Sequence, residues 1–229
     1  MFEKLIHELL RGQFICEHRF QALYEFLQDP GQRGEVEAWV EQIGYRLSRL
    51  GDYGAFYLSY AHVDSERRNT IRQQFKDIKV VHGPRLQFLS MVQQALQDDF
   101  VLTPGGLIEL ARLSDKIGNN PKLMDDYRAV APSLKGSTST ATLHDNLKRI
   151  LDSMSNDGYL MLRNPEREIY MVTGKINYLH QVCAFLLDHE ATVEPSEVDP
   201  QTDFANPISA NSTVTDLEPT HEAPNGSIA

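Results

Sequence analysis

The sequence predicts a mainly α-helical protein with small β-hairpins, an α+β class in which two winged-helix domains stand in tandem. Three observations predict it: a repeated order of helix, strand, turn and strand; two further helical segments ahead of the second copy; and a change of composition near the C-terminus. We divide the chain accordingly into an N-terminal winged-helix domain at 1–63, a helical connector at 64–100, a C-terminal winged-helix domain at 101–188 and a disordered acidic tail at 189–229.

The N-terminal domain begins with an amphipathic helix over residues 2–10, whose apolar residues recur at helical spacing. The first copy of the repeat then starts with another amphipathic helix, which contains Val36 and Val40. This helix is expected to end at Gly44, because glycine suits the left-handed residue that closes many helices. Alternating aromatic and aliphatic residues on both sides of a turn at 51–54 predict a β-hairpin.

The second copy repeats this order in the C-terminal domain. Its helix has leucines at helical spacing and ends at Gly158, and strands are predicted at 160–163 and 168–172. Two further helices are predicted before it, at 105–117 and 121–130, and the second of these starts with a proline, which suits a first helical turn. Three helices and a hairpin complete the predicted module.

The segment between the two domains has the apolar spacing of a helix over residues 64–97. We expect the helix to break or kink at 82–84, because a proline there disfavours helix at the residue before it. Its apolar stripe has two interpretations. It belongs either to the ordinary hydrophobic core or to an interface with a second copy or another partner. The candidate interface residues are Trp39, Phe75, Leu89 and Val92.

The net charge of −10 is concentrated at the C-terminal end of the chain. From Glu190 onward there are eight acidic residues and no lysine or arginine, which leaves 24 acidic against 22 basic residues before it. The tail also has five of the eleven prolines and a single aromatic residue, so it cannot bury enough apolar surface to order itself. We predict a disordered tail that acts as a solubilising appendage or competes with DNA for a basic surface of the folded part.

Motifs for catalysis and for cofactor binding are missing from the sequence. None of the three His-Glu dipeptides has the second histidine, four residues after the first, that a zinc-protease helix requires. Neither a phosphate-binding loop nor a Gly-x-Gly-x-x-Gly run occurs. Cys16 and Cys183 have apolar flanks, which favours buried thiols in a reducing cytoplasm. We therefore predict a cytoplasmic protein that is not an enzyme, binds no metal or cofactor, and lacks the roughly 20 apolar residues of a membrane span.

What remains is binding, and in a winged helix the third helix and the wing face DNA, where basic side chains neutralise phosphates. Acidic residues lie close by in the sequence, and Asp145 and Asp152 are spaced to form intrahelical ion pairs with Arg149. Contact with double-stranded DNA should therefore be weak, salt-sensitive and independent of base sequence. The candidate DNA-binding residues are Lys135, Ser137, Thr138, Lys148, Arg149, Arg163 and Arg167.

The C-terminal repeat also carries a family resemblance. The segments 143–151, 156–160 and 164–176 resemble the MksE subunit of MksBEF condensins, which are relatives of MukE, and the hairpin segment 54–58 is similar to the first wing of MukE-like proteins. The resemblance covers roughly the first 188 residues and excludes the tail.

This resemblance implies a homodimer that binds a kleisin subunit of the MksF type and joins an SMC ATPase of the MksB type, which hydrolyses the ATP. It further implies a nucleoid-associated subunit that helps clamp DNA in chromosome organisation and segregation or in defence against plasmids. It adds Lys175 to the DNA-facing candidates. Two alternatives stay open: a free-standing winged-helix transcriptional regulator, and an adaptor that binds only proteins.

Overall fold

The computed structural model describes residues 1–51, 54–96, 102–138 and 141–189, without the side chains of 72, 74–82, 183 and 186–189. Residues 190–229 of the predicted tail lie outside this range, and its first residue, His189, is the last residue of a helix. The described part is mainly helical with two small antiparallel sheets, which confirms the predicted α+β class. No described helix is both long enough and apolar enough to cross a membrane.

The N-terminal unit consists of three helices and a hairpin. These are α1 (Phe2–Leu10), α2 (Glu17–Gln28), α3 (Pro30–Gln42), β1 (Tyr45–Arg49) and β2 (Phe56–Tyr60). The predicted first helix, α3 and the hairpin are all present, with Leu47 opposite Leu58 across the two strands. Helix α2 has no counterpart in the sequence prediction, because only Leu23 and Leu27 of its residues are buried and Phe20 interrupts its helical backbone. The core of this unit lies between the helices and one face of the hairpin.

The C-terminal unit has three helices that share a core with a three-stranded sheet. Its elements are β3 (Leu107–Glu109), α5 (Leu110–Gly118), α6 (Pro121–Val130), α7 (Leu143–Asn156), β4 (Leu160–Asn164) and β5 (Ile169–Val172). The strands are ordered β3-β5-β4, all antiparallel. The predicted helix at 105–117 is wrong in its first part, because residues 107–109 pair with β5 and the helix begins only at Leu110.

A single long helix, α4 (Ser65–Leu96), connects the two units. Of the two expectations at 82–84, the break is wrong, because the helix continues through Pro84, and the kink stays a prediction. Its second half is held in place by packing against the C-terminal unit, where Phe88, Leu89 and Val92 are fully buried. Apolar burial of this size, about 1.5–3 kcal/mol for each large side chain, outweighs the hydrogen bond that proline removes. The second half of α4 therefore belongs to the C-terminal core.

The last described element, α8 (Lys175–His189), closes the junction between the two units. Ile176 and Leu179 belong to the C-terminal core, whereas Tyr178 packs against two aromatic rings of the N-terminal unit. Gly174, directly before the helix, lies very close to Cys16, since a Cβ atom added at Gly174 would be 2.7 Å from the Cβ of Cys16. Cys16 is a buried free thiol, as predicted, and the side chain of Cys183 lies outside the described residues.

Candidate nucleic-acid interface

Helix α7 has the two faces that the sequence predicts. Its N-terminus is capped by Thr142, whose hydroxyl accepts a hydrogen bond from the Asp145 backbone at 3.2 Å and donates one to the Asp145 carboxylate at 2.7 Å. Its apolar face enters the core of the C-terminal unit. The opposite face carries Lys148 and Arg149, of which Arg149 is exposed and Lys148 half-buried.

The loop before α7 is fastened to the helix by Asn146, which is not among the residues predicted from the sequence. This side chain is only 7% exposed. It accepts a hydrogen bond from the Thr138 backbone N–H at 2.8 Å, and its amide donates to the Thr138 carbonyl at 2.8 Å and to the Ala141 carbonyl at 3.3 Å. In the sequence, Asn146 can be recognised as a polar residue that stands next to the apolar positions of the helix.

Because of this clamp, the loop lies directly against Arg149. The guanidinium of Arg149 donates to the Thr138 hydroxyl at 3.2 Å. Gly136 has a φ of +100°, and a Cβ atom there would lie 2.7 Å from the Arg149 carbonyl oxygen, so only glycine fits. Lys135 is exposed beside it, and Ser137 is half-buried with its backbone N–H bonded to Leu134. The structure thus brings Thr138, and the loop that carries Lys135, against Arg149.

Neither of the predicted ion pairs of Arg149 forms. Asp145 is engaged in the helix cap, and Asp152 accepts a hydrogen bond from the Tyr170 hydroxyl at 2.6 Å. Burial, and next the hydrogen bond to Asp152, raise the pKa of Tyr170, so this hydroxyl remains a donor. The Arg149 guanidinium therefore has no carboxylate partner among the described residues, and it is free to meet an external anion.

Lys148, by contrast, is neutralised within the protein. Its ammonium lies 3.0 Å from one carboxylate oxygen of Glu168, and the other oxygen of Glu168 lies 3.2 Å from Nε2 of His144. The hydrogen bond with Glu168 raises the pKa of Lys148. Glu168 has a φ of +51°, a left-handed conformation that costs a non-glycine residue on the order of 1–2 kcal/mol.

The two candidate arginines of the wing also differ in whether an acidic side chain pairs with them. Arg163 on β4 is exposed and has no ion-pair partner in the described part of the chain. Arg167 in the following turn is exposed, but its guanidinium lies 3.5 Å from the carboxylate of Glu109. The candidate cations without an acidic partner among the described residues are therefore Lys135, Arg149 and Arg163.

Lys175 lies at the junction of the two units. Its ammonium donates to the Asp157 carbonyl at 2.8 Å and lies 4.8 Å from the ring centroid of Tyr159 and 5.3 Å from that of Phe14. Burial, reinforced by nearby arginines, lowers the pKa of Lys175 to about 8. The ammonium is thus engaged at the junction of the two units, whereas the other DNA-binding candidates lie on α7, on the loop before it and on the wing.

Two arginines, the buried Arg85 and the half-buried Arg19, complete this junction. Arg85 of α4 is 7% exposed, forms an ion pair with Asp157 and lies over the ring of Tyr159. Arg19 of α2 donates to the Ser155 carbonyl at 3.4 Å, and burial lowers the pKa of Arg19. Cations are favourable at a helix C-terminus, where carbonyl groups lack helical partners. These side chains therefore cap the end of α7 and join it to α2, α4 and α8.

The four candidate residues for a dimer or partner interface fall into three groups. Leu89 and Val92 are fully buried in the C-terminal core, so the interpretation as ordinary core accounts for them and neither offers surface to a partner in this conformation. Trp39 is half-buried, with its ring edge-on to Phe2 at 6.4 Å. The side chain of Phe75 lies outside the described residues.

The family model described as condensin complex protein MksE matches residues 1–183. The chain belongs to the MksE family. It is thus a subunit of a condensin complex, and its partners are other condensin subunits. No curated protein matches the chain. The MksE match extends over both units and most of α8, and it confirms the family resemblance of the sequence.

Proposed function

We propose that this MksE-family chain is a non-catalytic subunit that binds the kleisin as a dimer and helps the assembled complex hold DNA. The observation that carries the proposal is the family match over residues 1–183. In this proposal an SMC ATPase hydrolyses the ATP, and the complex serves chromosome organisation and segregation or defence against plasmids. The protein would then lie in the cytoplasm, associated with the nucleoid.

The order of elements supports two winged-helix modules in tandem. Each unit has three helices followed by an antiparallel hairpin. In the C-terminal unit a short strand ahead of the helices pairs with the second strand of the hairpin, which ties the wing to the helical core. In this interpretation α7 is the recognition helix and the β4-β5 turn is the wing.

The charges of α7 and the wing support weak, sequence-independent contact with double-stranded DNA. Lys135, Arg149 and Arg163 are exposed and have no acidic partner among the described residues, so each can approach a phosphate. Lys148 and Arg167 face carboxylates of the same chain, which reduces the net charge that the surface offers. Each phosphate contact contributes to affinity through counterion release, so few free cations give weak and salt-dependent binding.

Charge reversal tests this surface in the assembled complex. The double variant Lys135→Glu/Arg149→Glu should lower the affinity of the complex for duplex DNA by more than tenfold at low salt and flatten the salt dependence by about two phosphate contacts. The matched control Lys116→Glu/Lys122→Glu makes the same charge change on exposed residues of α5 and α6. Equal losses for the two variants would show that only net charge matters and would remove the DNA surface from the proposal.

Co-purification tests the partners. The tagged chain, isolated from its host, should bring down a kleisin and an SMC ATPase, and light scattering should give the mass of a dimer for the chain alone. Trp39 is the candidate for the dimer or kleisin contact. Its half-buried ring packs against Phe2, and two exposed apolar residues stand nearby in the sequence: Met1 (62%) directly before Phe2, and Ile43 (42%) at the end of α3. Recovery of neither subunit, together with tight binding of one operator sequence, would instead favour a free-standing transcriptional regulator.

A further inference from the structure

The carboxylate of Glu168 is held by two basic side chains of the proposed recognition helix. One oxygen lies 3.0 Å from the Lys148 ammonium and the other lies 3.2 Å from Nε2 of His144. The two basic residues are four positions apart on α7, so they project from the same side of the helix. The Lys148 ammonium and the His144 imidazole together form a small cradle that is occupied by an anion of the protein itself.

The backbone conformation at Glu168 holds the carboxylate beside Lys148 and His144. Among the described residues Glu168 is the one non-glycine with a positive φ, in a conformation that glycine or asparagine adopts more easily. Its carbonyl oxygen accepts a hydrogen bond from the Leu110 N–H at 3.2 Å, which fastens this end of the wing to the start of α5. Strained non-glycine residues concentrate at functional sites, because elsewhere a less strained residue would serve.

We propose that His144 and Lys148 form a phosphate-binding site for the DNA backbone, and that the Glu168 carboxylate occupies this site until DNA displaces it. A phosphodiester carries one negative charge and two non-bridging oxygens, so it can take over both contacts of the carboxylate. Arg149 follows Lys148 directly, and its guanidinium lacks an acidic partner among the described residues. The inference rests on the proposed function and adds His144, which the sequence analysis did not select.

Displacement of the carboxylate has a measurable consequence for affinity. DNA must break both contacts of the Glu168 carboxylate to form two new ones, so the site contributes little to binding by the isolated chain. In the assembled complex, additional DNA contacts from the partners would hold the phosphate close enough to exchange with the carboxylate. Glu168 would thus make the affinity of the surface depend on assembly.

The test compares two isosteric variants in the same turn. Glu168→Gln removes the charge from the site, whereas the control Glu166→Gln removes the same charge from an exposed side chain with no ion pair among the described residues. Binding of a short duplex of random sequence is followed by fluorescence anisotropy over a salt series, for the full-length chain and for its complex. We expect Glu168→Gln to tighten binding about three- to tenfold at low salt and to steepen the salt dependence by about one phosphate contact, with a smaller change for Glu166→Gln.

A second variant keeps the result interpretable. Lys148→Met removes half of the cradle, so Glu168→Gln/Lys148→Met should lose the gain and bind no better than Lys148→Met alone. Equal effects of the two glutamine variants, or a gain that survives Lys148→Met, would overturn the phosphate site. If Lys135→Glu/Arg149→Glu still lost affinity in that case, the proposed DNA surface would stand without it. Failure of the assembled complex and of Glu168→Gln to bind DNA at all would overturn both.

Discussion

Lys175→Met isolates the electrostatic consequence of burying an ammonium group at the junction of the two units. Burial lowers the pKa of Lys175 from 10.5 to about 8 in the folded protein. Below about pH 8 the lysine is protonated in both the folded and the unfolded state, so it adds no pH dependence. As the pH rises further, the folded protein releases this proton first, the unfolded chain binds more protons, and stability increases until the pH passes the unfolded pKa.

The expected magnitude follows from the size of the pKa shift. Each unit corresponds to about 1.4 kcal/mol, so a shift from 10.5 to about 8 corresponds to roughly 3 kcal/mol in total. Between about pH 7 and pH 10 most of this appears, and the free energy of unfolding of the wild type should rise by about 2–3 kcal/mol relative to Lys175→Met. In the difference between the two free energies of unfolding, the contributions of groups that titrate alike in both proteins cancel.

Urea denaturation followed by far-UV circular dichroism, repeated at several pH values, measures this difference. The control Lys122→Met removes an exposed lysine of α6, and its difference from the wild type should not rise with pH. A flat curve for Lys175→Met as well would show that water reaches the ammonium. A curve that fell with pH would refute the reasoning outright, because it would mean that the charged form stabilises the fold.

Two further predictions concern the loop before α7 and the tail. Asn146→Ala should lower the free energy of unfolding by about 1–3 kcal/mol, because Thr138 loses its hydrogen bonds to a buried side chain, whereas Asn156→Ala at the exposed end of α7 should cost less, as measured by urea denaturation. Equal losses would mean that water replaces the clamp. Deletion of residues 190–229, which include eight acidic side chains, should raise DNA affinity at low salt but not at high salt in an anisotropy titration. An unchanged affinity at low salt would leave the tail as an appendage only.

Much of the fold follows from signals that are local in the sequence. Helix α6 begins at the predicted proline and α3 ends before Gly44, whose φ is +79°, because caps and turns depend on a few neighbouring residues. Both predicted hairpins are present for the same reason. Strand β3 was predicted as helix because its partner lies some sixty residues further along the chain, and its apolar residues continue the helical spacing of α5.

The candidate site shows a similar division. The periodicity of α7 places Lys148 and Arg149 away from the apolar core, and the structure agrees. The ion pairs could not be predicted from spacing, since Arg149 binds the Thr138 hydroxyl, whereas Lys148 meets Glu168, twenty residues later on the other side of the wing. The burial of Lys175 also depends on a ring, Phe14, from the opposite end of the described chain.

The sequence by itself determined the element order of α7 and its hairpin, the uneven distribution of charge and the resemblance to the MksE family. These properties depend on residue identity and on spacings of a few residues, which a reader of the sequence can measure directly. The tertiary structure alone decided which cations are free, which are paired and which are buried. Electrostatic interaction depends on distance and solvent exposure, and residues far apart along the chain set both.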